Sequence, residues 1–234
     1  MDYIFEIDDA LSKDVCEDII SRFEQSGEKE CVNTNFKKTL DLVLADPAVT
    51  HDWMDVINEV CTRVQSSLVE YMDYLNDEGL DICGVLTRTL KSNTVRLPEI
   101  QKTEKNGFYT WHIDAGDDRC LTYILYLNDI EEGVGGTTEF LCGTNIQPKA
   151  GKLLLFPASF THLQRETKLQ EGNKYIITGF THNKIPESIS SSENIESEIV
   201  PIHTHNVEES NDIPNFKYII AESENTEYNT RYPI

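Results

Sequence analysis

The chain has 234 residues, with 41 acidic against 20 basic side chains and a formal net charge of -21 at pH 7. That surplus argues against a nucleic-acid partner, because phosphate-backbone interfaces need clustered Lys and Arg. It suits a solvated, self-repelling surface and leaves a basic peptide open as a ligand. Six cysteines are scattered without a Cys-x-x-Cys pair, no amino-terminal stretch joins basic residues to an apolar core, and no apolar run approaches a membrane span. These features predict free thiols, a reducing cytoplasmic compartment and no membrane partner.

Ser12 is placed to cap a first helix, with Val15, Cys16, Ile19, Ile20 and Phe23 at helical spacing. Residues 26–49 are mixed, and Asp46-Pro47 is expected to break the chain. Thr50 is expected to cap a long helix whose stripe runs through Trp53, Ile57, Val60, Val64, Leu68, Tyr71 and Leu75, a core face laid on a sheet. From about residue 82 the period falls to two. Short runs rich in Val, Ile, Leu, Thr and Tyr cover 83–90, 94–102, 107–114, 120–128, 137–142, 152–156, 160–165 and 174–182, separated by turn residues such as Gly135-Gly136 and Ala150-Gly151.

So many short strands in one block predict a jelly roll (a double-stranded β-helix), two sheets facing each other around a cavity, with the leading helices packed on one sheet and the whole α+β in content. The expected division is a helical support region over 1–80, a jelly-roll core over 81–184 and an acidic tail over 185–234. That tail holds ten acidic residues against two basic ones and is expected to be flexible, with 216–220 able to dock as an extra strand. His203 and His205 lie within it, and a metal site there would need two more ligands.

The chemistry-bearing pattern is His112-Ile113-Asp114 followed by His162 and Lys174. Two imidazoles and a carboxylate compose the triad that holds non-heme Fe(II) while leaving coordination positions open. On a strand, positions i and i+2 share a face, so His112 and Asp114 can reach one ion, with His162 arriving from a distant strand. A strand cation nearby, Lys174, suits a dicarboxylate co-substrate whose far carboxylate must be paired inside the protein.

Further pieces follow in order: Arg119, Thr122, Tyr126-Leu127-Asn128, Gly135-Gly136-Thr137-Thr138-Glu139-Phe140, Pro148-Lys149-Ala150-Gly151 and the apolar Leu153–Phe156 before His162. Over about residues 100–181 the chain thereby resembles the Fe(II)/2-oxoglutarate-dependent dioxygenases, in the prolyl 4-hydroxylase branch. The resemblance implies iron ligation by His112, Asp114 and His162, and 2-oxoglutarate held by Lys174 and Tyr126, with Thr178 adding a hydrogen bond and Tyr109 lining the pocket. It also implies O2 as oxidant, ascorbate by family habit, release of succinate and CO2, and hydroxylation of an unactivated C–H bond. The first expectation is a prolyl residue of a protein or peptide; another side chain or a small molecule stays open. Two departures stand out: Thr103 replaces a Tyr frequent in that branch, and Lys174 lies about two residues further from His162 than usual, which points to a longer turn around Lys168–Gly172. A jelly-roll binding module without turnover, and a cupin-type metalloenzyme without 2-oxoglutarate, are the alternatives.

Overall fold

The computed structural model describes residues 3–116 and 118–183. The elements are β1 (Phe5–Ile7), α1 (Lys13–Gln25), β2 (Glu30–Asn33), β3 (Lys37–Val43), α2 (Pro47–Thr50), α3 (Met54–Asp77), α4 (Val85–Lys91), β4 (Asn93–Val95), β5 (Glu99–Thr103), β6 (Phe108–His112), β7 (Arg119–Tyr126), β8 (Thr138–Phe140), β9 (Asn145–Ile146), β10 (Leu153–Pro157), β11 (Gln164–Glu166) and β12 (Lys174–Asn183). The strands form one curled antiparallel sheet in the order β1-β10-β7-β12-β5-β3-β6-β11-β8-β9, with β2 beside β3 and β4 beside β12. This is the expected jelly roll. One half carries β10, β7, β12 and β5; the other carries β6, β11, β8 and β9; β3 bridges them by pairing with both β5 and β6.

Two-residue alternation assigns each wall of the first half to two separate cores. Leu121, Tyr123 and Leu125 of β7, Leu153 and Leu155 of β10, and Tyr175 and Ile177 of β12 face outward and pack with α1 and α3. The intervening Ile124, Tyr126, Leu154, Phe156 and Ile176 face inward and meet Phe140 and Ile146 from the opposite half. The helix stripe is therefore the core face the sequence indicates: Val60, Val64, Leu68, Tyr71 and Leu75 of α3 are all buried. Ser12 caps α1 as expected, its hydroxyl accepting from the Val15 amide.

Two local expectations are corrected and one is met. Residues 85–91 are helix, not strand. Gly84 takes a left-handed φ of 63°, the Asp81 carboxylate accepts the Leu86 and Thr87 amides, and Leu86 and Leu90, one helical turn apart, pack into the helix-side core. Asp46-Pro47 does break the chain, between β3 and the short α2: Asp46 is extended and caps Ala48, and Pro47 stands in the first turn. Thr50 caps nothing: its hydroxyl donates back to the Leu44 and Asp46 carbonyls, and α3 begins at Met54 after a 3-10 turn over His51–Trp53. The span 26–49 supplies β2 and β3. The tail over 185–234, with its candidate strand at 216–220 and with His203 and His205, lies outside the described residues. Among the described residues no helix is long and apolar enough to cross a membrane.

Candidate active site

β6 carries Tyr109 and His112 toward the interior through a β-bulge. Gln164 pairs with His112 and Glu166 with Tyr109, so two residues on β11 span three on β6. The extra residue turns both rings to one face, where they stack with centroids 3.6 Å apart and planes 11° from parallel. β6 ends at His112, so Asp114 is presented by the loop that follows rather than by the strand. Even so, its Oδ1 lies 3.4 Å from His112 Nε2.

The imidazole is oriented for ligation. Its Nδ1 is 2.8 Å from the Thr110 carbonyl, which can only accept, so Nδ1 carries the proton and Nε2 presents its lone pair toward Asp114. Burial opposes a charge on Asp114. The adjacent His112 ring, the Thr122 hydroxyl (2.9 Å to Oδ2) and the Gln164 amide outweigh it and hold the carboxyl below its ordinary range. Arg119 donates to the Asp114 backbone carbonyl at 3.3 Å and lies flat on Phe180, 3.7 Å from the ring centroid, which braces the loop.

His162 is placed elsewhere. It stands in the turn between β10 and β11, its backbone N–H bonded to the Ser159 carbonyl and its Nδ1 2.9 Å from the Thr161 hydroxyl. The ring meets Tyr3 edge-on at 6.5 Å and lines a separate apolar cavity of about 260 Å³ with Tyr71, Leu75, Leu90 and Leu121. Among the described residues no three His, Cys, Asp or Glu side chains converge as a metal-binding group. The three-ligand arrangement expected from sequence is thus not assembled: β11 begins only at Gln164, and the turn before it points His162 toward the helices.

His112 and Asp114 stand in a larger cavity of about 520 Å³, which Tyr109, Arg119, Glu166 and Thr178 also line. Thr178 donates its hydroxyl to the Tyr123 carbonyl at 3.0 Å. Tyr126 is fully buried in the inner core and donates to Thr138 at 2.7 Å; burial pushes its phenol well above its usual range. Burial likewise pushes the Tyr109 phenol up to about 12. Lys174 begins β12 and is fully buried, whereas Lys168 in the turn before it is exposed. The Lys174 ammonium lies 2.8 Å from Glu166 Oε1, and Thr103 donates to the other oxygen of Glu166 at 3.5 Å. Gly135 and Gly136, read from sequence as turn residues, do have positive φ; in addition a Cβ at 135 would strike the Lys168 carbonyl and one at 136 would press on Leu169 beside the Lys174 stem.

Sequence reasoning missed Gln164, Glu166 and the Lys37 and Glu99 that line the same cavity. Only strand parity could have flagged Gln164 and Glu166, since in one continuous strand they would share a face with position 162. Lys37 and Glu99 come from strands whose proximity is set by the β3 bridge. Their pair is half-buried at 3.7 Å, and Lys37 is held charged by Glu99 and Asp41 against the cost of burial.

The residues fit the chemistry of a divalent cation and a dicarboxylate. A tautomerically fixed imidazole faces a charged carboxylate, and a fully buried cation stands behind the cavity wall. Residues 98–182 match the 2OG-Fe(II) oxygenase superfamily. No curated protein sequence matches the chain. Among solved structures, the viral collagen prolyl hydroxylase of Paramecium Bursaria Chlorella virus-1, in complex with 2OG, aligns with a TM-score of 0.56 at 19% identity, over 78% of this chain and 97% of that one. A Pseudomonas putida prolyl-4-hydroxylase gives 0.53 at 15%, over 79% and 94%. A Trichoplax adhaerens prolyl hydroxylase bound to a hypoxia inducible factor peptide fragment gives 0.53 at 16%, over 82% and 89%.

Proposed function

We propose that residues 98–182, which match the 2OG-Fe(II) oxygenase superfamily, form a 2-oxoglutarate- and Fe(II)-dependent oxygenase domain that hydroxylates a prolyl residue of a peptide or protein, releasing succinate and CO2. The observation that carries the site is the facing pair His112 Nε2 and Asp114 Oδ1, in the wall of the larger cavity. Its solved neighbours include prolyl hydroxylases, one with a peptide bound. The cavity lining includes the half-exposed apolar residues Val43 and Leu97, with Pro98 beside them.

His112 and Asp114 would hold the metal, with His162 as the third ligand. Register supports that third assignment: β6 and β11 run antiparallel with Gln164 opposite His112, so one further step of the ladder sets position 162 opposite 114. The turn over Ser159–His162 would have to extend to take that step. Bound iron supplies the oxidising power. The protein's own part is to fix the His112 tautomer through Thr110, keep Asp114 ionised through Thr122 and Gln164, and neutralise the far carboxylate of 2-oxoglutarate at Lys174. Tyr126 and Thr178, on neighbouring strands, would donate hydroxyls there on leaving their present acceptors, the Thr138 hydroxyl and the Tyr123 carbonyl, and Tyr109 walls the pocket.

The test is anaerobic addition of Fe(II) and 2-oxoglutarate, followed through the weak visible charge-transfer absorption of the chelated 2-oxo acid. It is expected in the wild type and lost in His162→Ala. Bound iron without absorption would favour a metalloenzyme that does not use 2-oxoglutarate. Proline-containing peptides should then gain one oxygen per succinate formed; succinate without hydroxyproline would move the substrate elsewhere.

A further inference from the structure

Lys174, the cation assigned to the co-substrate, already has a buried carboxylate on it. Its ammonium is wholly inaccessible and lies 2.8 Å from Glu166 Oε1, while Glu166 itself is 6% exposed. Glu166 lines the cavity that contains His112 and Asp114, and Lys174 does not. A dicarboxylate entering from the cavity therefore meets the Glu166 carboxylate before it meets the lysine. Two carboxylates and one ammonium in that space would leave a net buried negative charge, which costs far more than one neutral pair. The arrangement can accept a second anion only if the first one leaves.

We propose that Glu166 is an internal competitor for the co-substrate's anchor, a positioning residue that sets 2-oxoglutarate affinity by having to be displaced from Lys174. The proposal rests on the oxygenase reading above. The fold gives the displaced side chain somewhere to go. Glu166 and Lys37 are both register partners of Tyr109, so the three form one row across β11, β6 and β3 on the cavity face. Lys37 Nζ stands 5.3 Å from the Tyr109 ring centroid. A Glu166 carboxylate turned off Lys174 thus swings along its own row toward a second cation. The exchange also ties co-substrate binding to the wall of the cavity, because Lys37 and its partner Glu99 both line it. Ligand-free, the ion pair with Glu166 offsets the buried Lys174 charge, although the ammonium has no hydrogen-bond partner of good geometry.

The experiment compares 2-oxoglutarate with 2-oxovalerate, which has the same 2-oxo acid head and carbon count but no far carboxylate. Dissociation constants are measured by isothermal titration on Zn(II)-loaded protein, in which no turnover occurs. In the wild type the far carboxylate should gain little, the two ligands binding within about tenfold of each other, because its ion pair with Lys174 replaces the one Glu166 already makes. In Glu166→Gln, 2-oxoglutarate should bind at least about tenfold tighter while 2-oxovalerate changes less than about twofold. Unchanged or weaker 2-oxoglutarate binding in Glu166→Gln would overturn the proposal and leave Glu166 as a structural partner of Lys174. Discrimination above about a hundredfold in the wild type would overturn it as well, since an open lysine would give that gain; this arm needs no variant to fold. If the wild type binds 2-oxoglutarate equally with and without Zn(II), the oxygenase reading of the site fails and takes the proposal with it.

Discussion

At the scale of single residues, the site is an arrangement of hydrogen bonds that fix protons before any ligand arrives. Thr110 decides which nitrogen of His112 is free, and Thr122 with Gln164 decides that Asp114 is an anion. Gln164 is the informative member, because it serves Asp114 from another strand and is itself buried. Gln164→Leu removes that donor while preserving bulk. Metal affinity should fall about 10–100-fold, as for other residues that orient a ligand without touching the ion. A titration with Zn(II) checks it, and an unchanged affinity would reduce Gln164 to a packing residue. Of these side chains the sequence marked His112, Asp114 and, within the family pattern, Thr122, but neither Thr110 nor Gln164. A glutamine or glutamate in a short strand is one polar residue among many in so acidic a chain. Its role depends on which strand comes to lie opposite.

At the scale of elements, the helices hold the outer face of the half-roll that presents Lys174 and Thr178. Arg22 of α1 makes a bidentate pair with Asp55 in the first turn of α3, at 2.7 and 3.1 Å, and stacks over Trp53 at 4.6 Å. The Arg22 hydrogen bond holds the Asp55 carboxyl below its ordinary range. A lowered folded value means stability that is present above the unfolded value of about pH 4 and lost as pH falls through the lower folded one. Asp55 is mostly exposed, so solvent discounts the pair. Asp55→Asn should cost about 0.2–1 kcal/mol at pH 7, and the denaturation curves of variant and wild type should converge on acidification. A gap that persists in acid would show that the cost lies in packing. The α1 and α3 stripes were legible because an apolar face with period 3.6 has one simple use. The α4 segment was not, since seven residues with apolar positions at 85, 86 and 90 fit a short strand as well as two helical turns. Its choice was made by Gly84, by the Asp81 cap and by the α3 surface beneath it.

At the scale of the whole molecule, the roll brings β6, β7, β11 and β12 to one cavity and sets the β10–β11 turn beside it. Ligands that bind only the folded roll must stabilise it by mass action. Zn(II) at about 100 times its dissociation constant should add about 2.7 kcal/mol, or roughly 5–10 °C in melting temperature for a domain of this size. A chelator should reverse the gain, and His112→Ala should abolish it; thermal melts with and without metal measure both. A shift of equal size in His112→Ala would place the metal elsewhere.

The sequence by itself determined the class of fold and two of the site's groups. Alternation of period two dictates walls with a helix side and an inner side, and His112-x-Asp114 places an imidazole and a carboxylate within reach of each other whatever surrounds them. Such features are local, so they survive without knowledge of long-range pairing. What only the tertiary structure decided is relational. His162 is turned by the loop before β11 toward Tyr3 and the helices. Glu166 lies across Lys174 because β11 and β12 converge, and β3 joins the two halves through segments that sequence left unread. Each of these depends on where a distant strand comes to rest, which is set by the sum of many weak packing terms and is written in no single stretch of residues.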